Sequence, residues 1–394
     1  MAPRFDVGKG VIDNPRTTKL FVGAVLLALL SCGCGARAGQ LPPPVLPLTS
    51  SLVFATASPI AAAGPTHAAA VNVYASTLLG LDPVVTGIKP YVYVPNSDGS
   101  TLTVIDPSNF SVVRRIGTGS IPHHVAPAWD LSRLYVDEEQ AGKLMVIDPR
   151  TARPVGEVHV PDPYNLYFSP DGRTAIVVEE GFRRLEFRDP TTWGLRATAA
   201  LGPGLDHLDF SADGSYLLVT AEWSGEVFKV DSHSGRVLAA ANVGGLPIDV
   251  RLSPDGSVFF IANQGRMGVS VFDATTMREL SFIATGRGAH GLYLSRDTRS
   301  LYVSNRLEGS VSVIDVAARA VRTKWMVGGS PDMLQLNADG AQLWMSSRYD
   351  GYVMVVDTHT GRVVARIYSG PGAHGLSYFP APGHHSLGHN GVYR

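Results

Sequence analysis

Cysteine is nearly absent from this chain: among 394 residues only Cys32 and Cys34 carry a thiol, so nothing after residue 34 can form a disulfide. Any fold beyond that point must be held by packing and hydrogen bonds alone. An excess of either charge is missing as well, with 33 Lys and Arg against 34 Asp and Glu. That removes the electrostatic footprint of a nucleic-acid binder, and no nucleic acid is expected as a partner. No apolar run approaches the roughly 20 residues that span a bilayer. A phosphate loop, an elbow-type nucleophile and a cysteine metal motif are also missing. What the chain has in quantity is glycine (42), proline (27) and a 45% apolar fraction, the composition of a turn-rich protein with a continuous core.

The N-terminus reads as an address. Arg4, Lys9, Arg16 and Lys19 precede the eleven-residue run Leu20 to Leu30, which has the length of a signal-peptide hydrophobic region. It ends in Leu29-Leu30-Ser31-Cys32, which resembles a bacterial lipobox. The resemblance implies a signal peptide over 1–31 and lipidation of Cys32. An Ala- and Pro-rich segment follows, so 32–75 is expected to be a tether, 76–383 the folded domain and 384–394 a His-containing tail. The expected location is the bacterial cell envelope, with membrane contact through the lipid anchor only.

One Asp closes a strand-like apolar segment seven times, at Asp106, Asp148, Asp189, Asp231, Asp273, Asp315 and Asp357, with spacings of 42, 41, 42, 42, 42 and 42. A period near 40 with four short strand-like segments per unit is the signature of a propeller blade. Pro247 to Leu252, Val258 to Asn263, Val269 to Asp273 and Glu279 to Ala284 are the four segments of one unit, with a Ser253-Pro254-Asp255-Gly256 turn between the first two. The first unit lacks an inner strand and a spare one occurs at His374 to Phe379. The expected fold is therefore all-β: a seven-bladed propeller of four-stranded blades, its first blade completed by the C-terminal strand.

Leu301 to Asn305 with Gly309 to Asp315, and again Tyr91 to Asp106, resemble the YVTN-type repeat of YncE-like bacterial envelope propellers. The resemblance covers roughly residues 85 to 380 and implies the fold. It does not specify a function, because this superfold hosts binding proteins, lactonases and metalloenzymes.

Propeller ligands usually sit where inner strands begin, over the central channel. Aligning the units there gives His123, Tyr164, Asp206, Ile248, His290, Asp332 and His374, then His124, Asn165, His207, Asp249, Gly291, Met333 and Gly375. Five of the twelve histidines fall in these fourteen positions. Imidazole and carboxylate converging from separate strands suit a transition metal such as Cu, Zn or Fe, so His123, His290, Asp332 and His374 are the candidate metal ligands. His124, His207, Glu138, Arg306 and Arg348 are the candidate ligand-binding residues, with Asn96, Glu179, Glu222, Asn263 and Asn305 on the same face. The tail histidines, His384, His385 and His389, are expected on a surface or docking strand.

Three functions stay open. The first is an envelope protein that binds a small molecule or protein partner at the mouth without catalysis. The second is a hydrolase: Pro122-His123-His124-Val125 and Leu134 to Glu138 resemble seven-bladed lactonases, which implies roles for His124 and Glu138. The third is a metal- or haem-bearing redox-associated propeller that uses channel histidines.

Overall fold

The computed structural model describes residues 72–394, the side chain of Asn390 aside. Cys32, the signal region and nearly all of the tether lie outside the described residues. Seven four-stranded antiparallel sheets form the blades of a propeller. Blade 5 shows why these segments become strands. Pro247–Leu252 and Val258–Asn263 are buried along their whole length, whereas the outer strand Glu279–Ala284 is mostly exposed. Inner strands are covered on both faces by neighbouring blades and read as continuous apolar runs; outer strands meet water and alternate. Among the described residues no helix is long and apolar enough to cross a membrane.

The repeated Asp is structural. Asp273 accepts from the backbone N–H groups of Thr275 and Thr276, and Asp357 does the same for His359 and Thr360. Such side-chain turns hold the connection to the outer strand without a second chain contact. On the opposite end, Ser253 and Asp255 bond to each other, and Gly256 takes a left-handed φ of 71° that a side chain would resist.

Ring closure follows the expected exchange. Ser377–Phe379 pairs with Tyr91–Asn96 in the register Tyr91 with Phe379, Val92 with Tyr378 and Tyr93 with Ser377, completing blade 1. A single side chain from blade 7 clamps this short strand. The amide of Gln335 donates to Tyr378 O at 3.1 Å and accepts from Tyr378 N at 2.7 Å. Gln335→Ala leaves both backbone groups buried without partners, at roughly 1–3 kcal/mol apiece for such a group. We expect a loss of about 2 kcal/mol in urea unfolding, with Gln335→Glu intermediate because one acceptor survives.

The C-terminal segment departs from expectation. Rather than a surface or docking strand, residues 384–394 close the channel end that lies opposite the mouth. Ser386 N bonds Trp129 O, Phe168 N bonds Leu387 O, and Leu387 N turns back onto Val392 O at 2.7 Å. Leu387, His389, Val392, Tyr393 and Arg394 are all buried. The physical reason is that the segment carries its own apolar residues, and the channel end gives them somewhere to leave water. Only His384 stays outside, beside Asp82 at 3.2 Å, while His385 stacks on Trp129.

Candidate functional site: a histidine-lined channel

Adjacent residues of a regular strand point to opposite faces, so His123 and His124 should not both reach the channel. They do so because the inner strand Pro122–Pro127 carries a bulge between Pro122 and Val125. The same irregularity recurs at Asp206 and His207, at Ile248 and Asp249, at His290 and Gly291, and at Asp332 and Met333. A bulge re-aims side chains at the rim of a sheet. In this ring it supplies two layers of channel residues from one strand end.

Five histidines meet inside. The His124 ring centre lies 4.7 Å from His374, 5.3 Å from His207 and 4.3 Å from His389, and His123 lies 4.7 Å from His374. Two trios offer ligand nitrogens all within 4.8 Å of one another: His123, His124 and His374 nearer the mouth, and His124, His207 and His389 deeper. Gly375 allows this approach, since a Cβ there would fall 2.3 Å from His124 Cδ2. Burial holds every one of these imidazoles neutral. His124 is pushed down to about 3, and His123, His207, His374 and His389 lie well below the usual range.

The two trios differ in available lone pairs. In the upper one each ring turns one nitrogen toward an oxygen. His124 Nδ1 bonds Tyr164 O at 2.9 Å, His123 Nδ1 lies 3.3 Å from Glu139 Oε2, and His374 Nε2 lies 3.5 Å from Asp332 Oδ2. His124 Nε2 and His374 Nδ1 have no hydrogen-bond partner. This is the arrangement that orients ligating imidazoles. In the deeper trio, His207 Nδ1 takes the Asn165 amide N–H at 2.8 Å, which puts the ring proton on Nε2, 3.1 Å from Asp206 Oδ1. Its lone pair is already spent. The upper trio is the better metal site.

Two expected ligands are otherwise employed. Asp332 receives Arg306 Nη2 at 2.6 Å and Nε at 3.1 Å, and His290 Nδ1 sits 2.9 Å away. Burial alone would raise this carboxyl, but Arg306 and His290 outweigh it and keep it ionised. Arg306 also donates to His290 Nε2, so His290, Asp332 and Arg306 form one closed network. His123 and His374 are thus joined by His124 rather than by His290 and Asp332, and Asp332 serves as the carboxylate behind His374.

The residues between second and third strands separate into two columns. Asn96, Glu138, Glu179, Ala221, Asn263, Asn305 and Ser347 are fully buried between blades. Glu138, for example, lies near Lys143 at 3.8 Å and makes no hydrogen bond to His124, while Glu179 pairs with Arg184 at 2.5 Å. In the next column, Ser97, Glu139, Glu180, Glu222, Gln264, Arg306 and Arg348, four residues line the mouth: Glu180, Glu222, Arg306 and Arg348. Sequence reading placed Glu222, Arg306 and Arg348 here and missed Glu139 and Glu180. Burial pushes Glu139 and Glu180 up to about 7, and the charge of Asp162 adds to both, followed by Glu180 at Glu139 and by Glu222 at Glu180.

A cavity of about 300 Å³ opens at this mouth, walled by His123, Tyr164, Asp206, Ile248 and residues of that column. His389 is the other site residue that the sequence concealed.

A family model for YNCE-like beta-propellers matches residues 52–381. No curated protein matches the chain. Among solved structures, a functionally unknown protein from Desulfotomaculum acetoxidans is 16% identical with a TM-score of 0.63, over 73% of this chain and 98% of that one. A putative 6-phosphogluconolactonase from Bacteroides uniformis is 16% identical with a TM-score of 0.61, over 74% and 99%. Dihydro-heme d1 dehydrogenase NirN in complex with DHE is 19% identical with a TM-score of 0.58, over 75% of each chain. At such identities these likenesses establish the shared propeller and leave function to the site. On the family match, which spans most of its length, this chain belongs to the YNCE-like β-propellers.

Proposed function

We propose that this chain is a cell-envelope binding propeller, anchored through Cys32, that holds one transition-metal ion on His123, His124 and His374 without catalysing a reaction. The observation that carries the reading is the upper trio: three neutral imidazoles in one buried place, with an oxygen behind each ring. Neutral histidines need shed no proton to bind a cation, and imidazole donors suit copper and zinc. Nitrogens around one such ion lie roughly 3.4 Å apart at bond lengths near 2.0–2.1 Å. Closing the trio from its present spread takes ring rotations and small shifts. His124 belongs to both trios and has one free nitrogen, Nε2, so one ion is expected, not two.

The test is titration of untagged mature protein with Cu(II) and Zn(II), followed by calorimetry and metal analysis after dialysis. One equivalent should be retained, copper more tightly than zinc in keeping with the general affinity order. Nitrogen couplings in the Cu(II) EPR spectrum should report the imidazoles. His124→Ala should weaken binding at least tenfold, while removal of the exposed His384 should change nothing. Absence of stoichiometric metal, or retention of it by the His123→Ala, His124→Ala, His374→Ala triple variant, overturns the reading.

A further inference from the structure

We infer that the mouth cavity is a second binding site, for a small zwitterion carrying an ammonium and a carboxylate on a short apolar chain. The inference is independent of the metal and begins from the mouth column. Its charges are segregated around the ring: Glu139, Glu180 and Glu222 come from blades 2, 3 and 4, Gln264 from blade 5, and Arg306 and Arg348 from blades 6 and 7. Proteins ordinarily pair opposite charges when they half-bury them. Here Glu180 and Glu222 line the same cavity of about 300 Å³ as Arg306 and Arg348.

Glu139 has His123 Nδ1 beside it at 3.3 Å, but the rest of the acidic arc and Arg348 are not neutralised elsewhere. Among the described residues the guanidinium of Arg348 makes no ion pair or hydrogen bond, and neither Glu180 nor Glu222 makes an ion pair. Arg306 differs, because Asp332 already balances it. Arg348 is therefore the free cation of the mouth, sharing its cavity with Glu180 and Glu222. Between them the wall offers Ile248, a buried apolar side chain, and His123, only 7% exposed. Tyr349 projects at the rim beside Arg306.

A ligand with one charge would satisfy one arc and leave the other as it was. A molecule with both would give Glu180 and Glu222 an ammonium, give Arg348 a carboxylate in a forked contact, and lay its methylenes over Ile248. The volume sets the size, since a few hundred Å³ is the lower end for small-molecule pockets. An amino acid or an ω-amino acid of about two to six carbons fits that description; a folded partner does not.

The experiment uses full-length mature protein with EDTA present, titrated calorimetrically with glycine, 4-aminobutyrate and 6-aminohexanoate. Butylamine and hexanoate are the singly charged controls. At least one zwitterion should bind at one per chain and at least tenfold more tightly than either control. Arg348→Gln and the Glu180→Gln, Glu222→Gln pair should each lower that affinity at least tenfold. Zwitterion binding is read with metal chelated and the metal reading by metal retention, so the two readings fail separately. Failure of all three zwitterions to bind, equal binding of butylamine or hexanoate, or binding that returns only with metal overturns the inference. Circular dichroism of each variant checks that lost binding is not lost folding.

Discussion

Asp209→Ala should lower the unfolding free energy by about 4 kcal/mol, the range seen when one partner of a buried ion pair is deleted. Asp209 is where both ends of the described chain are fastened. Its carboxylate accepts from Arg394 Nη2 at 3.0 Å, from the Tyr74 hydroxyl at 3.2 Å and from Leu252 N at 2.8 Å, with Arg251 Nη1 at 3.9 Å. Arg394 further donates to Phe210 O and Ser211 O. The side chains of Arg251 and Arg394 are 4% and 6% exposed, so alanine leaves two buried guanidiniums short of a counter-charge. Arg251 keeps Asp249 at 3.7 Å, and Arg394 keeps two carbonyls and the face of Tyr74 but no carboxylate. Asn at this position retains an acceptor but not the charge and should cost about half as much. Urea unfolding measures the loss. Hydrogen exchange locates it: residues 384–394 should open before any blade does. If Asp209→Ala leaves both unfolding and exchange of that segment unchanged, the anchor lies elsewhere and His389 is held in the channel by apolar packing alone.

The parts of this molecule that the sequence disclosed are those that repeat. A period-42 Asp located every third strand, and the spare strand at His374 to Phe379 announced the ring closure, because each is a local pattern copied seven times. The strand-start columns were legible for the same reason, and they contain His123, His124, His207 and His374. What stayed hidden was set by single-residue geometry or by contacts distant in sequence. Glu138 and Glu139 are neighbours with opposite fates, and a strand boundary read one residue early exchanges them. The bulges that bring two adjacent residues into the channel leave no mark in composition. His389 has no repeat to place it; the turn from Leu387 to Val392 and the bond from Arg394 to Asp209 do so, across 185 residues. The flanking Leu387, Val392 and Tyr393 were the available signal that this segment was not a surface strand. Asp332 looked like a ligand because nothing local reveals that Arg306, one blade earlier, already occupies it.

That occupied carboxylate supports the last expected result, a separation of stability from metal affinity at Asp332. Asp332→Ala should cost about 3–4 kcal/mol, since Arg306 is left with 10% side-chain exposure and without its ion-pair partner. His290 loses its neighbour at the same time. The double variant Asp332→Ala, Arg306→Met removes both charges and fills the space with an apolar chain, so most of the stability should return. The metal site should not recover with it. His374 Nε2 faces Asp332 Oδ2 in the native chain, and an imidazole without its supporting carboxylate typically binds metal 10–100-fold more weakly. The double variant is therefore expected to unfold close to wild type in urea yet hold copper at least tenfold more loosely. Recovery of both properties together would mean that Asp332 only neutralises Arg306. Recovery of stability alone identifies it as the residue that positions His374.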